Sequence, residues 1–211
     1  MDTPSNIPAD AGAGAPPAAV FEDAALLKRC RDGEMAAFGP LVTKYQDRVY
    51  NTILRMCGNV DDAEELCQET FVKALQHVAT FREDSRLYTW LFRIAVNLTI
   101  SHRRRASRSK ALSLDSGGPD GERSPRAEDA LPDRRRPGPP QAAAESEAHR
   151  RVLDAVDALD EEYRAVVVLR DIEEMNYEQI SQVLEVPVGT VKSRLYRARC
   201  LLQKALQDLR P

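Results

Sequence analysis

Residues 176–206 read NYEQISQVLEVPVGTVKSRLYRARCLLQKAL, and the fold turns on this stretch. Ile180, Val183 and Leu184 fall at helical spacing, which predicts a short amphipathic helix from Tyr177 to Leu184. Asn176 with Gln179 three residues on forms a capping-box pair at its start. Glu185-Val186-Pro187 interrupts the pattern, because proline cannot continue a helix interior. A longer helix follows, on which Val191, Leu195, Ala198, Leu202 and Leu206 recur at spacings of 3 and 4 and share one stripe. Ser193, Tyr196, Arg197 and Lys204 point away from that stripe, and Lys192 flanks it. No acid occurs between Glu185 and Asp208, whereas Lys192, Arg194, Arg197, Arg199 and Lys204 do. Two helices, a tight turn and an acid-free second helix form the pattern of a helix-turn-helix. The first helix braces; the second offers its N-terminal half to base edges and its charges to phosphates.

Outward from there, 211 residues allow two small domains. The formal charge of −3 does not suit a chain that holds DNA unaided through bulk charge, so a second partner that holds the DNA is expected. Cys30, Cys57, Cys67 and Cys200 are far apart, as are His77, His102 and His149, which argues against a disulfide framework or a metal site and for a reducing cytoplasm. No apolar run approaches a membrane span and the start lacks a signal-peptide pattern, so no membrane insertion is expected. No cofactor motif and no cluster of catalytic residues is present, so the chain reads as a binding protein rather than an enzyme.

The fold class is all-α: two small helical domains joined by a flexible linker. Residues 1–21 read as a disordered tail, 22–106 as the first domain, 107–146 as the linker, and 147–211 as the second domain with the helix-turn-helix. In the first domain a short helix at Ala24–Leu27 should stop at Asp32-Gly33. The next carries Leu41, Tyr45, Val49 and Ile53, with Pro40 either opening it or kinking it. Asp61, with Glu64 three residues on, can cap a helix running to Val78. One face of that helix is apolar, including Leu66, Phe71 and Leu75; the other carries Asp61, Asp62, Glu65, Gln68 and Glu69. Acids in a first turn favour the helix dipole, which covers Asp61 and Asp62 but not Glu69. A docking face and a solvated face fit this spacing equally.

A charged loop leads to a fourth helix with Leu87, Leu91, Ile94, Ala95 and Leu98 on its core stripe. Arg86, Thr89, Trp90, Arg93, Asn97 and Arg104 share an outer sector, and the helix runs into His102-Arg103-Arg104-Arg105. From Ser85 to Leu114 there is no acid. Basic residues interleaved with aromatics suit single-stranded nucleic acid, with charge along the backbone and rings stacked on unpaired bases. A core position for Trp90 fits as well, and arginines at a helix C-terminus also complement its dipole.

Three stretches in order, DDAEELCQETFVKAL at 61–75, FREDSRLYTWLFRIAVN at 81–97 and YEQISQVLEVPVGTVKSRLYRAR at 177–199, resemble the extracytoplasmic-function (ECF) group of sigma-70 transcription initiation factors. The resemblance implies that Asp61, Asp62, Glu65, Gln68 and Glu69 dock on the β′ coiled coil of core RNA polymerase. It implies that the β flap is a further polymerase contact. It gives −10 recognition and strand opening to Phe81, Arg82, Arg86, Tyr88, Trp90, Arg93 and Asn97, with Arg103, Arg104 and Arg105 on phosphates. It gives −35 reading to Thr190, Lys192, Ser193, Arg194, Tyr196 and Arg197. Promoter DNA, double- and single-stranded, and an anti-sigma factor are the implied partners beside polymerase. The chain departs from the family's pattern at Ser181, Asp160 and Gly39-Pro40. A stand-alone dimeric helix-turn-helix regulator is the competing reading; it leaves the acidic helix without a task.

Overall fold

The computed structural model describes residues 17–81, 86–114, 147 and 150–207, and among them there is no strand. Helix α1 spans Pro17–Arg31, α2 Phe38–Cys57, α3 Val60–His77 and α4 Leu87–Leu114. A helix over 150–157, α5, opens the second half. It is followed by α6 (Glu161–Val167), α7 (Tyr177–Leu184) and α8 (Val188–Ala205). The expected tail over 1–16, linker residues 115–146 and Arg82 lie outside the described residues.

Two helices run further than the sequence predicts. Helix α1 begins at Pro17, inside the stretch read as tail, because proline is pre-organised for a first helical turn and alanines follow it. Helix α4 runs on to Leu114 through residues read as linker; its Arg-, Ala-, Lys- and Leu-rich continuation has good helix propensity and no Gly or Pro to stop it. Helix α1 ends as expected, with Gly33 at φ +97°. Pro40 sits in the first turn of α2, so it opens that helix rather than kinking it.

Helix α3 corrects the predicted cap. It begins at Val60, and Asn59 is the residue whose side chain accepts from the Asp62 N–H, at 3.0 Å. Asn59 holds extended backbone one position before the helix, as a cap requires, whereas Asp61 is already inside it. Leu75, placed on the apolar face, is instead 37% exposed, while Leu66, Phe71 and Ala74 are buried.

The core of the first half gathers Leu41, Val49, Ile53 and Leu54 of α2, Leu66 of α3, and Leu91, Phe92 and Ala95 of α4. Asp23 of α1 is buried too, accepting from the Tyr45 hydroxyl and from Lys44 Nζ at 2.5 Å. Burial first, and then this carboxylate, raise the Tyr45 phenol well above its ordinary range and keep it a donor. In the second half, Ala165–Leu169, Ile180, Val183, Val191, Leu195 and Ala198 are buried. Arg164, only 2% exposed, is held inside by carbonyls: Val156 at 3.1 Å, Leu159 at 3.0 Å and Met56 at 2.8 Å, with the Asp157 carbonyl as a further acceptor.

Met56 belongs to α2, so the halves touch. Helix α4 packs against α2 and α3 on one side and α7 on the other. Gly58 ends α2 at φ +74°, and a Cβ there would lie 3.2 Å from Asp157 Oδ1. Glycine suits both the left-handed turn and this approach, since a side chain there would be strained by φ and would push Asp157 aside.

Candidate functional site

Three surfaces carry the residues singled out by the sequence. On α3, Asp61, Glu65 and Gln68 are exposed one turn apart, and exposed Val72 and Leu75 extend the stripe. Asp62 lies 3.7 Å from His102 Nε2 and Glu69 pairs with Lys73 at 3.0 Å, so these two flank the stripe. Asp61 and Glu65 form no ion pair among the described residues. The result is an acidic strip with an apolar end, able to receive a partner that offers cations beside aliphatic side chains.

On α4, the expected outer sector divides. Arg86, Arg93, Asn97, Arg104 and Arg105 are exposed, but Thr89 is 3% exposed. The prediction of an exposed Thr89 is corrected because α4 is covered from two sides, not one. Phe81 is buried and its ring packs 4.9 Å from that of Trp90, which is half-buried. Arg31 donates to the Phe81 carbonyl at 2.6 Å and its guanidinium lies 5.8 Å from the Phe81 ring. Trp90 therefore serves the packing and keeps a free edge. Tyr88 is half-buried and turned toward the second half, where its hydroxyl donates to Glu173 at 2.8 Å. Burial first, then the Glu173 carboxylate, raise the Tyr88 phenol above its ordinary value.

Several α4 cations meet carboxylates of the second half: Arg93 with Glu185 at 3.5 Å, Arg104 with Glu161 at 3.1 Å, and Arg103 with Asp157 at 3.8 Å. Arg103 also donates to the Met56 carbonyl. Sequence reasoning missed all of these partners, and missed Glu173, Arg48 and Arg164. Their contacts join residues far apart in the chain, for which periodicity carries no signal.

On α7 and α8 the capping box forms as read: the Gln179 N–H reaches Asn176 Oδ1 at 2.8 Å and the Asn176 N–H reaches Gln179 Oε1 at 2.9 Å. Glu185, at φ +55°, ends α7, and the Ser181 hydroxyl donates to the Val186 carbonyl at 2.6 Å across the turn. Ser181 is thus a brace for the turn. Val191, Leu195 and Ala198 are buried, and Tyr196 is 73% exposed beside exposed Lys192, Ser193 and Arg197. Arg197 has no ion pair among the described residues, whereas Arg194 is tied to Glu162 at 2.6 Å and Arg199 to Asp171 at 2.5 Å. Lys192 Nζ lies 5.5 Å from the Tyr177 ring, and Thr190 is half-buried, its carbonyl taken by the Ser193 hydroxyl. The open set on α8 is therefore Lys192, Ser193, Tyr196 and Arg197: a hydroxyl, two cations and a ring on one side of a helix, as reading a major groove requires.

The Cys57 and Cys67 thiols are pushed up to about 11 by burial, which leaves little thiolate near neutral pH. No helix among the described residues is long and apolar enough to cross a membrane.

Residues 41–109 match the family model of sigma-70 region 2, and residues 149–202 that of sigma-70 region 4. The chain is 36% identical over 192 residues to an RNA polymerase sigma-H factor of Pseudomonas aeruginosa, with 89% of this chain and 95% of that protein aligned. It is 34% identical over 186 residues to the ECF RNA polymerase sigma factor SigW of Bacillus subtilis, with 87% and 96% aligned. Among solved structures it is similar to CnrH in complex with the cytosolic domain of CnrY, at TM-score 0.61 and 25% identity, over 90% of this chain and 99% of that one. The fold also matches that of the sigma factor RpoE, solved with the anti-sigma factor NepR from Bartonella quintana, at TM-score 0.62 and 24% identity, over 81% and 96%. With region 2 carrying α3 and α4 and region 4 carrying the helix-turn-helix, the chain belongs to the ECF group of sigma-70 RNA polymerase sigma factors.

Proposed function

We propose that the chain directs core RNA polymerase to promoters through three separate faces. Asp61, Asp62, Glu65, Gln68 and Glu69 on α3 take the β′ coiled coil, with Asp61, Glu65 and Gln68 as the centre of contact. Arg86, Trp90, Arg93 and Asn97, with Phe81, Arg82 and Tyr88, meet the −10 element, and Arg103, Arg104 and Arg105 its phosphates. Capture of an unstacked base on the Trp90 edge then favours strand separation. Lys192, Ser193, Tyr196 and Arg197 read −35, with Thr190 and Arg194 beside them and the β flap against the same domain. The domains are 22–106 and 147–211. The protein works in the cytoplasm by binding alone, with no chemical step of its own, and an anti-sigma factor is a further partner.

The observation that carries this reading is the open acidic strip of α3 on the same chain as the open reading face of α8. A stand-alone regulator has no use for the first. Purified chain mixed with bacterial core polymerase should yield new, specific run-off transcripts that neither component gives alone. Replacing Asp61 and Glu65 by Lys and Gln68 by Ala should lower core affinity at least tenfold, with the helical circular-dichroism signal unchanged. Binding of a palindromic duplex by the chain alone, with no redirection of polymerase, would defeat the reading.

A further inference from the structure

Arg31 closes α1, and its side chain serves a segment 50 residues further along the chain. At Phe81 the turn after α3 gives way to extended backbone, with φ −61° and ψ 121°. The turn satisfies itself: Thr80 Oγ1 donates to the His77 carbonyl at 2.9 Å, and the Phe81 N–H reaches the Val78 carbonyl at 3.3 Å. The Phe81 carbonyl takes no part in these bonds. Phe81 is buried, and a carbonyl there needs a donor in place of water. Arg31 Nη2 is that donor, at 2.6 Å.

The same guanidinium lies 5.8 Å from the centroid of the Phe81 ring. That ring packs 4.9 Å from the ring of Trp90, at an interplanar angle of 54°. One planar cation therefore holds Phe81 by backbone and by ring, and Phe81 in turn seats Trp90. A guanidinium suits this double task, because its fork donates while its delocalised charge attracts the ring; a lysine ammonium is a point charge and serves the two less well.

Arg31 is itself firmly placed. Leu27 and Cys30, in the last turns of α1, are buried in the core. Gly33 ends the helix at φ +97°, and Arg29 Nε donates to Glu34 at 2.8 Å across that end. The Arg29–Glu34 pair involves neither Phe81 nor Trp90, so it offers a control on the same turn of helix.

We propose that Arg31 is a positioning residue for strand opening at −10. It touches no DNA; it fixes Phe81 so that the free edge of Trp90 meets an unstacked base at one place and angle. The proposal deepens, and rests on, the −10 role given above to Phe81 and Trp90. A loosened platform still lets the chain load onto polymerase but captures the flipped base less often. The loss therefore falls on opening and not on loading.

Trp90 is the single tryptophan of the chain, so its fluorescence reads the platform directly. The full chain is compared as wild type, Arg31→Ala, Arg31→Lys and Arg29→Ala, first by emission maximum and acrylamide quenching. The same proteins, as holoenzyme with core polymerase, then open a duplex promoter taken from the run-off experiment and labelled with 2-aminopurine in its −10 element. Arg31→Ala should red-shift Trp90, raise its quenching and slow opening about tenfold, the scale of one charged hydrogen bond with one cation–π contact. Core affinity and helical circular dichroism should stay at wild type. The same promoter mismatched across −10, and so open beforehand, should restore transcription by Arg31→Ala, which it would not do for a misfolded chain. Arg31→Lys should fall between the two, and it carries the test if Arg31→Ala does not fold. Arg29→Ala should match wild type throughout. An unmoved Trp90, a moved Trp90 with unchanged opening, a loss that the mismatched promoter does not restore, or an Arg29→Ala that behaves like Arg31→Ala overturns the proposal. A wild-type holoenzyme that yields no specific transcript, with the Trp90 shift intact, breaks the sigma reading and leaves Arg31 as the clamp of the Phe81–Trp90 pair alone.

Discussion

Helices α4 and α8 are both acid-free, both basic and both suited to DNA, but the structure treats them differently. On α8, Tyr196 and Arg197 stand open, and the two arginines that are tied down, Arg194 and Arg199, are tied to acids of their own half. On α4, Arg93, Arg103 and Arg104 are met by acids of the other half, and Tyr88 is drawn into the seam between the halves. Two basic, acid-free helices therefore differ in exposure. One stands open; the other carries intramolecular partners from the second half. The ion pairs at Arg93 and Arg104 are largely exposed and each contributes little, on the order of 0–1 kcal/mol. The buried part of the seam is at Glu173 and at Arg164.

The contrast breaks most completely at Arg164. Its guanidinium joins the carbonyls closing the α5–α6 turn to the Met56 carbonyl of α2. Arg164→Ala removes one donor from the Val156, Leu159 and Met56 oxygens on both sides of the seam at once, while Met56 keeps Arg103 and Val156 keeps the Leu159 N–H. The expected loss is about 3 kcal/mol, since each buried polar group left unpaired costs about 1–3 kcal/mol and water re-enters around some of them. Urea unfolding followed by circular dichroism should show a lower midpoint. A midpoint unchanged from wild type would mean that the seam contributes nothing to stability, and the difference between α4 and α8 would lose its physical basis.

The contrast sharpens on α8 itself. Arg197 is open and Arg199 is bound to Asp171, whose hydrogen bond is the main cause raising the Arg199 pKa. Arg197→Ala should weaken −35-dependent initiation by about 1–3 kcal/mol if the guanidinium reads a base edge. Arg199→Ala should leave promoter choice nearly unchanged. Run-off transcription on templates with intact and scrambled −35 elements separates the two. Equal losses for both substitutions would show that charge alone, not position on the helix, does the work.

What was legible in the sequence follows the range of the interactions. The Asn176–Gln179 capping box and the buried stripe of Val191, Leu195 and Ala198 depend on neighbours within a few residues, so spacing reveals them. Helix α3 was legible as a helix, but its start was not: Asn59 and Asp61 are both capping types two residues apart, and backbone geometry chooses between them. The single outer stripe assigned to α4 failed at Thr89 because one helical period describes one covered face, and α4 has two. The seam was invisible for a related reason. Glu173 lies beside Glu174 in sequence, and nothing local separates the buried acid from the exposed one; only Thr52, Arg48 and Tyr88, brought from far along the chain, do.

The smallest expected effect concerns the turn that sets α8 against its brace. Ser181 stands in the bracing helix, and its hydroxyl closes on the Val186 carbonyl at 2.6 Å, just before Pro187, which precedes the first residue of α8. Glu185 beside it is held at φ +55°, a conformation that disfavours any residue with a Cβ by roughly 1–2 kcal/mol. The Ser181 bond offsets part of that strain. Ser181→Ala should therefore destabilise the chain by about 1 kcal/mol, and Glu185→Gly should recover much of the loss in the double substitution by relieving the turn. A non-additive pair in thermal unfolding is the expected reading, because the two residues act on one turn. Strict additivity would mean that the hydroxyl holds the carbonyl without holding the turn, and the orientation of α8 would then rest on its buried stripe alone.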